Sequence, residues 1–148
     1  MTRDPAPGAG SIGRASWWGT AVFTVTAVGA DLYTAVEAPA FVVAVVLFFA
    51  GCAAFIAAYF RAVGRSRADL IAVTSLFFLS GSAPAPVRRS LLGSFAVQVV
   101  VAFATAIARP YTSLAAGTLV PVYGIALCGL WAARYGTFPP RTDPKKME

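Results

Sequence analysis

The chain has 148 residues, 58% of them hydrophobic and only 12% charged, with a mean hydropathy of +0.72. A soluble domain of this size cannot bury that much apolar surface, so composition excludes an ordinary soluble enzyme and points to an integral membrane protein. The formal charge is +6 and there is no histidine, which excludes His-ligated haem or zinc and a His-dependent catalytic triad within this chain.

Residues 1–16 are basic and rich in Pro and Gly, and Gly8, Gly10 and Gly13 spell G-x-G-x-x-G. A dinucleotide loop needs a strand before it and a soluble helix after it. Only "MTRDPAP" precedes Gly8, and a membrane span follows, so this stretch reads as a flexible cytoplasmic tail with no cofactor. The first span runs from about Trp17 to Val36 and is interrupted by Asp31. Val28-Gly29-Ala30 has the small residues of a signal cleavage site. The tail ahead of the apolar core is long for a signal, and a retained first span places the charges well. Pro39 separates this span from the second, Ala40–Phe60, which is uncharged.

Leu70–Ala83 is apolar but 14 residues long, short of the roughly 20 that a crossing needs. It reads as an interfacial or re-entrant piece. Ser90–Ala108 and Thr112–Ala133 complete the spans, and residues 135–148 form a second cytoplasmic tail. The expected fold is therefore an all-α membrane domain over residues 17–134. Its four transmembrane helices form two antiparallel hairpins joined by a long inner loop.

The positive-inside bias fixes the expected orientation. With four spans and a cytoplasmic N-terminus, every Lys and Arg except Arg109 lies inside. If Leu70–Ala83 crossed, the basic residues would divide evenly between the two sides. The aromatics agree: Trp17, Trp18, Tyr59, Trp131 and Tyr135 fall at the inner interface, Tyr33 and Tyr111 at the outer. The plasma (inner) membrane of a bacterium is the expected location.

Few residues invite chemistry. Asp31, near the outer end of the first span, reads either as a cation or proton site or as a headgroup-level acid beside Glu37. Gln98, mid-span, reads as a pathway residue or as an interhelical hydrogen bonder with Thr24 and Thr26 as partners. Arg61, Arg65, Arg67, Arg88 and Arg89 make a basic cluster suited to anionic lipid or a partner's acidic loop. Ala50, Ala54 and Ala58, with Gly117 and Gly124, suit close helix packing. Pro121 predicts a kink that frees a carbonyl near Gly117. Cys52 and Cys128 are isolated in apolar runs and read as small hydrophobes. No nucleophile stands beside a base, so no enzyme is expected. The pattern points to a non-enzymatic accessory or assembly subunit packing against a larger membrane complex or a second copy. The alternative is a small oligomeric transporter or lipid-carrier permease using Asp31 and Gln98.

Overall fold

The computed structural model describes residues 9–141, and among these helix is the only regular structure apart from a lone antiparallel bridge between Asp69 and Pro140. Five α-helices follow in order: α1 Ala9–Leu32, α2 Glu37–Arg65, α3 Val73–Phe77, α4 Ala85–Ala108 and α5 Pro121–Tyr135. Short 3-10 stretches, Thr34–Val36 and Ser113–Leu119, lead into α2 and α5. Three segments are long and apolar enough to cross a membrane: Thr34–Arg65, Ala85–Ala108 and Ser113–Tyr135. The helix α1 matches α4 in length, with 24 residues, but Arg14, Ser16, Thr20, Thr24, Thr26 and Asp31 dilute its apolar character.

Helix α1 begins well before Trp17, so residues 9–16 are helical rather than a loose tail. Glycine costs a helix about 1 kcal/mol relative to alanine. Here that cost is offset by packing: Ile12 and Ser16 are buried, and Ile12 joins a cluster with Ala62, Leu91 and Trp131. Gly8 lies outside the described residues. At the other terminus, residues 136–141 fold back on the chain: Leu70 N–H donates to Pro139 O at 2.9 Å and Arg141 N–H to Ala68 O at 2.8 Å. Residues 142–148 lie outside the described residues.

Packing seams set the arrangement. Helices α1 and α4 run side by side in the same direction, with Ser16 against Ser94 and Thr20 against Gln98, each pair 78 residues apart. Helices α2 and α5 are also co-directional, with Gly51 against Tyr123 and Ala58 near the position a Cβ on Gly129 would take. Helix α2 buries Ala40, Ala44, Gly51, Ala58 and Ala62 in four- and seven-residue steps, with Ala40 and Ala44 packed beside Ala30, Phe23 and Ala27 of α1 and Ala58 and Ala62 in the cluster around Trp131 of α5. Of the expected stripe Ala50, Ala54 and Ala58, Ala58 is fully buried and Ala54 half-buried, whereas Ala50 faces outward and its neighbour Gly51 is buried instead. Gly51 decides the face, because a Cβ there would stand 2.7 Å from the Tyr123 backbone.

Pro121 does not kink an α-helix. The chain ahead of it is 3-10, Pro121 opens α5 at the first turn, and the Gly117 carbonyl accepts the Val120 N–H at 3.0 Å. Proline's fixed φ and missing N–H suit that position. The segment Leu70–Ala83 contains only the five-residue α3, which is far too short to cross. Phe77 lies over Gly129 and stacks on Phe55 at 5.3 Å, while Leu76 and Leu79 are buried against the end of the bundle. Leu79 holds a left-handed φ of 56° and is fully buried, so packing sustains a conformation that leucine disfavours.

Candidate functional site

Polar side chains gather at three places: an internal seam and the two ends of the bundle. The seam lies between α1 and α4. Ser16 Oγ meets Ser94 Oγ at 2.5 Å, Ser94 Oγ donates to Leu91 O at 2.9 Å, and Thr20 Oγ1 donates to Ser16 O at 2.8 Å. Gln98 is fully buried and its Nε2 donates to Thr20 Oγ1 at 2.7 Å. The partner is therefore Thr20, one turn before the expected Thr24. Thr26 instead bonds its own helix, donating to Val22 O at 2.8 Å. Thr24 Oγ1 and Gln98 Oε1 are buried without a partner. Gln98 Oε1 rests over Gly124, where a Cβ would come within 2.6 Å of it. Gly117 plays the same part for Phe23, whose ring would lie 3.3 Å from an added Cβ. Both glycines expected as packing residues thus sit under a neighbouring side chain.

Asp31 is at one end of the bundle and not on the seam. Arg109, which caps α4, places Nη1 2.6 Å from Glu37 Oε1 and Nε 3.7 Å from Asp31 Oδ1. All three side chains are about one-third exposed, so solvent weakens both pairs. Thr20 and Asp31 are about 16 Å apart along α1, so Asp31 and Gln98 do not form one site. A space near this end, lined by Phe23, Ala27, Ala40, Ala44 and Gly117, is about 10 Å³, no more than one water needs.

At the opposite end the expected basic cluster divides. Arg65 is committed to structure: its Nε donates to Asp69 Oδ2 at 3.2 Å, Nη1 to Ala133 O at 3.2 Å and Nη2 to Gly136 O at 3.0 Å, and the guanidinium lies over the Phe138 ring. It therefore caps the C-terminus of α5, where carbonyls lack helical donors. Arg61 and Arg134 flank it around an open recess of about 420 Å³, and Arg134 was not among the expected cluster. Arg67 is exposed beside this site, whereas exposed Arg88 and Arg89 lie on the first turns of α4. Sequence reasoning missed Tyr123 altogether. Its hydroxyl donates to Ala15 O at 2.8 Å, and its ring crosses α1 at Gly19, where no side chain fits. The glycines at 19 and 51 are the only signal that a large residue of another helix passes there.

Among the described residues the arrangement offers hydrogen bonding, packing and cationic surface. Among the described residues no group of His, Cys, Asp or Glu is placed to hold a metal ion. The chain matches no family model, and neither a curated protein nor a solved structure resembles it significantly.

Proposed function

We propose that this chain is a four-span plasma-membrane protein without catalytic activity, acting as an accessory or assembly subunit that packs laterally against another membrane protein. In this reading α1 is the fourth span and α1–α2 and α4–α5 form two hairpins. Both termini and the connection from Arg65 to Pro84 are cytoplasmic. The basic residues support that orientation, since Arg109 stands alone at one end and Arg14, Arg61, Arg65, Arg67, Arg88, Arg89, Arg134 and Arg141 belong to the other.

The observation that carries the accessory role is where the polar groups and small residues point. Ser16, Ser94, Thr20 and Gln98 bond one another inside the bundle. The outer face of α2 instead presents Ala50 and Ala53, flanked by exposed Val46, Phe49 and Ile56. Small residues on a lipid-facing helix allow another helix to approach closely. Mild detergent extraction followed by identification of stoichiometric partners tests this reading. Ala53→Leu is expected to release the partner while the chain still inserts. A chain that stays alone, whether or not Ala53 is changed, refutes the reading.

A second reading, a small oligomeric transporter or lipid-carrier permease, draws on the unpartnered Thr24 Oγ1 and Gln98 Oε1. It requires Gln98→Leu to abolish a transport phenotype without loss of insertion. The pairing of Asp31 with Arg109 at the bundle end, away from Gln98, weighs against it.

A further inference from the structure

Two of the G-x-G-x-x-G glycines, Gly10 and Gly13, acquire a role at the basic end of the bundle. Gly10 and Gly13 lie on the first turns of α1 and line a groove of about 440 Å³ between α1 and the start of α4. A Cβ on either glycine would meet nothing within 4 Å, so the groove is open because side chains are missing there. Trp17 and Leu91 give it apolar walls, Arg14 places a cation in the wall, and Trp131 lies at its inner side. Trp17 Nε1 donates to Ser90 Oγ at 3.0 Å, but Trp131 Nε1 is buried with no acceptor, in a residue only 4% exposed.

We propose that this groove binds the phosphodiester headgroup of one anionic phospholipid. Two features call for a ligand with negative charge. Arg14 is in the wall, with Arg88 and Arg89 next to the lining residues Val87 and Ser90. The first turn of α4 also directs its free N–H groups and positive dipole to this end. Of the described acids only Asp69 lies at this end, and Arg65 already holds it. The apolar walls, next to membrane-spanning helices, select an amphiphile over a free anion. The headgroup oxygens meet Arg14, and the first carbons of the chain lie along Trp17 and Leu91.

The inference rests on the membrane reading above. A chain that never enters the membrane fraction would end both, whereas the binding test touches only the lipid site. The full-length protein in mild detergent is titrated with phosphatidylglycerol, with phosphatidylcholine of the same chains and with inorganic phosphate, and followed by native mass spectrometry. One phosphatidylglycerol is expected to be retained, about tenfold more tightly than phosphatidylcholine, whose choline cation is repelled by Arg14, Arg88 and Arg89. Arg14→Gln weakens it about fivefold, the worth of one basic residue near a charged headgroup. Gly13→Leu fills the groove and abolishes retention, and its helix should fold at least as well, since leucine is the better helix former and the space is empty. Equal retention of phosphatidylcholine, complete displacement by inorganic phosphate, or unchanged retention in Gly13→Leu each overturns the proposal.

Discussion

At the level of single residues, the contact between Gln98 and Gly124 shows which interactions matter inside the bundle. Gln98→Leu removes one bond to Thr20, whose hydroxyl keeps its donation to Ser16 O, and also removes the unpartnered Oε1. The expected loss is below about 1 kcal/mol, as for interhelical hydrogen bonds in membranes generally. Gly124→Ala is a smaller chemical change with a larger expected effect. Its Cβ would lie 2.6 Å from Gln98 Oε1 and 3.2 Å from Phe95 Cα, so α4 must shift. That overpacking costs about 1–3 kcal/mol. Unfolding in mixed micelles with increasing SDS measures both, and a larger loss for Gln98→Leu than for Gly124→Ala would contradict this ranking. The sequence announces Gln98 as an interhelical hydrogen bonder but misplaces its partner by a turn. Starting the two spans at Trp17 and Ser90 implies an offset of 73, whereas the seam runs at 78. The helices extend beyond their apolar stretches by different amounts, and hydropathy does not see those extensions. Ala50 is misread for a related reason: α2 carries alanine on several faces, and only the need for Tyr123 to pass over Gly51 selects among them.

At the level of elements, hydropathy locates the long helices and leaves their ends and breaks unresolved. Residues 112–133 read as one helix, yet the first third is 3-10 with a rise of about 2.0 Å per residue, longer per residue than an α-helix. Nothing in "TSLAAGTLV" demands that. Within it, Gly117 lies beneath the Phe23 ring, a contact between distant parts of the chain that hydropathy does not register. The non-crossing nature of Leu70–Ala83 is legible from its length, but its docking is not, because Phe77 meets Gly129 from more than fifty residues away in sequence. Arg65 ties these pieces together, reaching the 66–70 turn through Asp69 and the end of α5 through two carbonyls. Arg65→Gln is expected to loosen both strands at once, so limited proteolysis should cut within 66–83 and 136–141 several times faster, with the membrane helices unaffected. Arg65→Lys should rescue little, because one ammonium cannot span acceptors that a planar guanidinium reaches with three nitrogens. Full rescue by lysine, or cleavage unchanged in Arg65→Gln, would show that the contacts of Phe77 and Leu79 hold the segment without Arg65.

For the whole molecule, the decisive asymmetry is that of charge between the two ends of the bundle. The end with Arg109 also holds Asp31 and Glu37, whereas the other gathers cations with one described acid, Asp69. On the proposed four-span reading, the bundle inserts with its cation-rich end inward. The five-residue α3 spans about 7.5 Å against a hydrocarbon core of about 30 Å, so it cannot reverse the chain between α2 and α4. Arg67 and Tyr111 must then face opposite compartments, and both are exposed. In a background with Cys52→Ala and Cys128→Ala, Tyr111→Cys is expected to react with a membrane-impermeant maleimide on intact cells. Arg67→Cys should react only after the cells are opened. A crossing by residues 70–83 would bring both positions to the same side, and an inverted bundle would exchange the two results. The pair of labels therefore separates the three topologies, and only protection of Arg67→Cys together with reaction of Tyr111→Cys is compatible with the basic end, its groove and its recess all facing the cytoplasm.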